Sequence, residues 1–389
     1  MKKIFFGFLM FAAMLTPAVL SSCSEDNNGT ETPVEDKNLS GSIPEGTVRT
    51  LDPSVEYALV GPYIVENGAT LNIPAGTVIK ANKGFSNYIL VLQGGKINIS
   101  GTAQAPVTMT ANISNATAGH WGGLIINGKA PLAGGTIGST EINSAYSYGG
   151  TVANDNSGSI TYLKLEYTGS RSSADVEHNG LTLNGVGSGT TIENIYVPNG
   201  SDDGVEFFGG TVNVKNLLVV NPDDDMFDFT QGYKGTLENA YGIWEAGYTS
   251  SESDPRGIEA DGNLDGNFPT HTDQSDFIVR NMTIDLRLAA VTTGDSDKPK
   301  RMQDGIKIRR GAKANIVNAL VKGTGTVEDL VDLTDSKGGA DAGTIINITN
   351  SLTNAPGRLT NPVEAPGVTI GTGNTGCATS LFAWTGYQF

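Results

Sequence analysis

Ile192-Glu193-Asn194-Ile195, Val214-Lys215-Asn216-Leu217, Leu237-Glu238-Asn239-Ala240, Val279-Arg280-Asn281-Met282, Ile316-Val317-Asn318-Ala319 and Ile348-Thr349-Asn350-Ser351 set one asparagine in the same apolar frame six times. The first two spacings are 22 and 23 residues, and the later ones are 42, 37 and 32. A coil of three short strands with their turns accounts for the short spacing, and the longer ones need loops inserted between strands. Coils stacked about 4.8 Å apart place the asparagines in a column, where each can hydrogen-bond to its copies above and below. The frame therefore predicts an all-β parallel β-helix. A β-sandwich would instead show hairpin signals roughly every 8 to 12 residues.

Shorter repeats lie outside these frames. Gly68-Ala69-Thr70-Leu71-Asn72-Ile73 returns as Gly94-Gly95-Lys96-Ile97-Asn98-Ile99, and Leu124-Ile125-Ile126-Asn127-Gly128 as Leu181-Thr182-Leu183-Asn184-Gly185. The 51 glycines fit a chain of many bends and disfavour long helices.

Aligning the strand before each asparagine frame yields an outward column Thr182, Glu206, Asp228, Glu259, Lys307, with Asn184, Phe208, Thr230, Asp261, Arg309 beside it. Three carboxylates stacked about 5 Å apart repel one another unless a cation, a basic neighbour or protonation intervenes. Asp202, Asp203, Asp223, Asp224 and Asp225 add acid to this face, and Lys307, Arg309 and Arg310 end it with the opposite charge. Such a strip suits a glycan: Asp203, Glu206, Asp228 and Glu259 accept from hydroxyls, Lys307 and Arg309 donate, and an exposed Phe208 stacks on a sugar ring. A solvated sheet face with Asp-Gly turns fits the same residues.

Asp261-Gly262-Asn263-Leu264-Asp265-Gly266 matches the first half of a calcium loop, which makes Asp261, Asn263 and Asp265 candidate ligands and calcium the candidate cofactor. The second half departs from that pattern, with Thr272 where a bidentate Glu is expected. An acidic, glycine-rich surface loop is the competing reading.

The formal charge is -16, and no segment gathers Lys and Arg into a stripe, so nucleic acid is excluded as a partner class. Three histidines leave little room for a His-rich metal centre. His120 and His178 read as turn or packing residues. No nucleophile elbow, phosphate loop or His-Glu-x-x-His occurs.

Met1-Lys2-Lys3 followed by an apolar stretch to Leu20 reads as an export signal. Leu20-Ser21-Ser22-Cys23 resembles the lipobox of bacterial lipoproteins, which makes Cys23 the lipidation site and the lipid the only link to a membrane. Ser24-Glu25-Asp26 resembles the acidic signal that sends Bacteroidetes lipoproteins to the outer face of the outer membrane. The expected organisation is a signal peptide over 1–22, lipidated Cys23 and a flexible tether over 23–45, and a β-helix over 46–389 with insertions near 250–275 and 290–303. The aromatic C-terminus, Leu381 to Phe389, is expected to cap the open end of the helix.

The asparagine frames, with Gly122-Gly123-Leu124-Ile125-Ile126-Asn127-Gly128, resemble the right-handed parallel β-helix surface lipoproteins of Bacteroidetes, relatives of the pectin-lyase-like superfamily. That resemblance implies a single-stranded right-handed β-helix facing the extracellular medium, acting as a binding or adhesion module with polysaccharide as partner. Its alternative is a calcium-dependent polysaccharide lyase or glycoside hydrolase, with Asp203, Asp225, Asp228 and Arg309 as the catalytic set. Asp202-Asp203 matches the Asp pair of polygalacturonases, and Lys307-Ile308-Arg309 reverses their basic motif, but their Gly-His-Gly has no counterpart here.

Overall fold

The computed structural model describes residues 36–389 apart from 174, 175 and 293; the expected signal peptide, Cys23 and most of the expected tether lie outside the described residues. From Lys37 to Phe389 the chain forms one unit, an all-β parallel solenoid. The first strand, Asn38–Ile43, pairs in parallel with Glu56–Val65, so coiling begins inside the stretch expected to be tether. Its polar sequence conceals it: only Leu39 and Ile43 point into the core.

The sequence repeats are register partners. Leu71 pairs with Ile97 and Asn72 with Asn98, and Leu124 pairs with Leu181 and Asn127 with Asn184. On one side of the solenoid, long strands stack in the order Gly158–Leu165, Thr191–Pro198, Asn213–Val220, Thr236–Trp244, Asp276–Leu286, Lys313–Gly323 and Ile345–Leu352. Five of these bend at the framed asparagine. Asn194, Asn216, Asn239, Asn281 and Asn318 all lie in the left-handed backbone region, with φ between 55° and 60°. Asparagine tolerates that region better than other residues with a side chain. From Asn216 onward each Nδ2 donates to the Oδ1 of the asparagine one coil before, at 3.0, 2.9, 2.9 and 2.9 Å along the ladder.

The sixth frame is displaced. Register shifts between Ile316 and Ala319, and Asn350 pairs opposite Val321. The ladder stops at Asn318, whose Oδ1 accepts instead from the backbone N–H of Thr375 and Gly376. Asn239→Ala removes two ladder bonds and forces a Cβ-bearing residue without a compensating amide into φ 60°. The expected cost is about 2–3 kcal/mol, read by urea unfolding. Asn239→Gly should recover the backbone share of it, and an unchanged midpoint for both variants would make the ladder ornamental.

The core is closed by aromatic stacking. Phe207, Phe229 and Phe277 lie in a column with ring centroids 5.0 and 4.3 Å apart, and Tyr233 packs 4.5 Å from Phe207. On most strands burial alternates, as in Thr70–Pro74 and Lys96–Ser100. On the strands Leu181–Asn184 and Val205–Phe208 every residue is buried, so something covers that face from outside. The cover is an unforeseen insertion between Trp121–Asn127 and Gly158–Leu165, which carries an antiparallel hairpin of Gly138–Thr140 with Asn143–Tyr148. The insertion expected near 250–275 is two loops flanking the solenoid strand Arg256–Asp261, and 290–303 holds the short turn Asp295–Lys300.

The C-terminus does not cap the open end. From Asn374 it runs back along the outside of the long strands as a strap. It contacts Thr349, Asn318, Thr283 and Tyr241, reaches Tyr162 and Lys164 with Trp384 and Thr385, and then turns back so that Tyr387 meets Tyr196 and Phe389 meets Tyr241. Phe382 and Cys377 are buried there with Leu218, Val220, Tyr241 and Ile243. Those outward apolar side chains explain the choice: the strap covers surface that would otherwise face water. Among the described residues no helix is long and apolar enough to cross a membrane.

Candidate functional site

The column read from the sequence exists in that order. Thr182 pairs with Glu206, Glu206 with Asp228, Asp228 with Glu259 and Glu259 with Lys307. Beside it stack Asn184, Phe208 and Thr230, and Asp261 pairs with Arg309. A further row follows from the same register: Asn179, Asp203, Asp225, Arg256 and Asp304.

The carboxylates converge on one pocket of about 170 Å³ lined by Glu141, Glu177, Asp202, Asp203, Glu206, Asp224, Asp225, Asp228 and Glu259. Three sets come within 4.8 Å, oxygen to oxygen: Asp202, Asp203 and Asp224; Asp203, Glu206 and Asp228; Asp225, Asp228 and Glu259. Part of this acid serves the fold. Asp203 Oδ1 accepts the backbone N–H of Asp225 at 2.9 Å, and Asp225 Oδ1 that of Arg256 at 2.6 Å, so each carboxylate closes the turn of the next coil. Other acceptors are unused: Asp224 Oδ1, Asp228 Oδ1 and Asn179 Oδ1 are buried without a hydrogen-bond partner. Asn179 Nδ2 donates to Glu206 Oε2 at 2.6 Å.

Burial, and after it the neighbouring charges, push the carboxyls of Asp203, Glu206 and Asp228 well above their ordinary values. Asp225 is raised by burial against the opposing pull of Arg256. Arg256 went unnoticed as a site residue although it occupies the aspartate position of its coil. Its guanidinium is shared among Asp225, Asp254, Glu259 and Asp304. Oxygen-only donors with unused buried acceptors fit a hard cation.

The basic end of the strip is closed to ligands. Lys307 is buried against Asp332, and Arg309 is held by Glu259 and, at 2.7 Å, by Asp261. Arg309 is therefore not a free base beside Asp225. Phe208 is also corrected: it is buried, covered by Leu132 and by Tyr148 of the hairpin at 6.1 Å between ring centroids. The exposed ring that the sequence suggested is therefore not there.

The candidate calcium loop is committed elsewhere. Arg309 and Arg310 neutralise Asp261, and Asn263 spends its amide on Gln274 Oε1 and Arg310 O while its oxygen accepts from the N–H of Phe268. Asp265 is exposed, in left-handed backbone at φ 51°. Asp261 and Asn263 thus spend their side chains on closing the loop.

That loop does build a second cavity. A cleft of about 510 Å³ runs between it and the hairpin, lined by Ile137, Tyr148, Phe208, Leu264, Phe268 and His271 among others, and it shares Glu141 with the acidic pocket. Phe268 stacks on His271 at 4.7 Å with 12° between ring planes, and 43% of it remains exposed. Glu141, Glu177, Phe268 and His271 were missed because their loops carry no period. His178 is a packing residue, as expected: it lies between Phe85 and Tyr88, its Nε2 3.0 Å from Phe85 O, and burial pushes its pKa down to about 4.

The chain is a parallel solenoid with insertions folded over one acidic sheet face. The family model of the pectate-lyase like beta helix domain matches residues 41–383, and the chain belongs to that family. Neither the curated proteins nor the solved structures gave a match. The domain fits a carbohydrate-related role.

Proposed function

We propose that the protein binds extracellular polysaccharide in the cleft between the hairpin and the 262–275 loop, as a surface module anchored to the outer membrane through lipid on Cys23. The observation that carries this reading is the continuity of the apolar cleft with the carboxylate pocket through Glu141. Few precisely placed polar groups beside an apolar floor is the usual make-up of a small-ligand site. Sugar faces would rest on Phe268, and hydroxyls would donate to Glu206, Asp228 and Glu259.

A second reading keeps catalysis. The unused oxygens of Asp224 and Asp228 favour it, since calcium held by Asp203, Asp225 and Asp228 would acidify the carbon next to a uronic carboxylate. Against it, the three basic side chains of the strip, Arg309, Lys307 and Arg256, are all ion-paired. The two separate on one preparation. A glycan array with the purified protein should show retained oligosaccharides, and incubation with polyuronates plus calcium should release no unsaturated or reducing ends. Released ends would make it an enzyme, and an empty array would remove the binding reading.

A further inference from the structure

We infer that Lys307 and Asp332 join covalently in the folded protein, through an amide between the lysine Nζ and the aspartate Cγ that ties two successive coils together. The inference is independent of any ligand. The two residues are register partners on the strands Met302–Arg309 and Val327–Asp332, and both are more than nine-tenths buried. Lys307 Nζ lies 2.5 Å from Asp332 Oδ2, which puts the amine next to the carboxyl carbon. A buried ion pair by itself is a packing arrangement. The groups around this one are those that amide formation needs.

The other oxygen of Asp332 is held as a developing oxyanion would be. Oδ1 accepts the backbone N–H of Thr334 at 2.8 Å and the Thr334 hydroxyl at 2.7 Å. Thr334 Oγ1 in turn accepts from Asn361 Nδ2 at 3.1 Å, so its own proton is left for Asp332. Two donors fixed on one carboxyl oxygen polarise the carbon and stabilise the negative charge that collects there as the nitrogen adds. A proton carrier stands close by. Asp304 is 1% exposed, one of its oxygens lies within 4.8 Å of an oxygen of Asp332, and its Oδ1 has no hydrogen-bond partner. Burial pushes its pKa up to about 6, where a carboxyl both takes and gives a proton near neutral pH. Asp329, the third member of this cluster, is occupied by Arg358.

The step balances without a co-reactant. The Lys307 ammonium passes one proton to Asp332 Oδ2, and the free amine adds to Cγ. Asp304 takes a second proton from the added nitrogen and delivers it to Oδ2. The Nζ–Cγ bond is then complete, the Cγ–Oδ2 bond breaks, and Oδ2 leaves as water. An ammonium and a carboxylate have become an amide and water, with no change in total charge and no oxidation or reduction. Holding the amine against the carboxyl supplies the effective concentration that the same condensation lacks in solution. Burial of both partners excludes competing nucleophiles.

The test is tryptic peptide mapping of the full-length protein by tandem mass spectrometry. It should give Met302–Arg309 joined to Gly323–Lys337, uncut after Lys307 and lighter than the two peptides together by one water. Lys307→Arg keeps a cation opposite Asp332 and should return the peptides unjoined. Asp304→Asn leaves both partners in place and should slow the linkage roughly a hundredfold, read as a linked fraction still growing after purification. Unjoined peptides from the wild-type chain, cut after Lys307, would overturn the inference without recourse to any variant. Full linkage in freshly purified Asp304→Asn would overturn the role given to Asp304.

Discussion

Asp228→Asn is expected to make the cation-free protein more stable while abolishing its ligand. Asp228 lies within 4.8 Å, oxygen to oxygen, of Asp203, Glu206, Asp225 and Glu259 in two overlapping sets, and burial followed by the charge of Asp261 raises its pKa well above the ordinary value. An amide there removes one charge and adds a donor toward neighbours that have acceptors to spare. Relieving like-charge repulsion at one buried site has the size of an ordinary point-substitution effect, about 1 kcal/mol. The pH dependence has a definite sign. With folded values raised above the ordinary 3.8 and 4.5 of Asp and Glu, the native state holds protons that the unfolded chain has released. That contribution is complete below about pH 4 and is lost as pH rises through the raised values. In chelator the melting temperature should fall as pH rises above the ordinary carboxylate range, the reverse of a fold held by ionised carboxylates. A divalent cation should flatten the curve at its alkaline end. A melting temperature that rises over this range, or an Asp228→Asn variant of lower stability, would show the cluster to be structurally satisfied.

Ending the chain after Gly371 is expected to cost more than any single substitution. It removes the strap and uncovers Tyr196, Leu218, Val220, Tyr241 and Ile243, all buried beneath it. Burying one such side chain is worth roughly 1.5–3 kcal/mol, so the loss should be on the order of 5 kcal/mol or more. In a stack whose coils touch only their neighbours, cooperativity depends on added cross-links, and the strap is one. Calorimetry should show one transition becoming two or broadening, with binding of a hydrophobic dye to the native state. A single transition at the original temperature would mean the strap merely decorates the surface.

The fold was legible because its two signals are periodic. A strand pleat alternates inside and outside, and an asparagine at the same bend recurs with each coil, so the register of Thr182, Glu206, Asp228, Glu259 and Lys307 followed from alignment alone. Asn350 escaped this logic because a register shift moved its coil. The site was legible only in part. Glu206, Asp228 and Glu259 reach one pocket, whereas Lys307 turns to Asp332 in the next coil and Arg309 is tied to both Glu259 of the column and Asp261 of the neighbouring row. Phe208 was read as exposed since nothing in residues 128–157 announces a hairpin that folds over it. Aperiodic insertions make the cleft, and local sequence does not disclose where an insertion will rest.

The strap also acts as a ruler. Solenoids gain and lose coils readily, because a duplicated coil pairs with its neighbours as well as the original did. Here the tail is fastened at Asn318 and again at Lys164, so its span has to match the height of the coils between those two points. One extra coil would lengthen that height by about 4.8 Å and leave Trp384 and Tyr387 one step short of Tyr162 and Tyr196. Coil number and tail length are therefore expected to change together in related chains, or not at all.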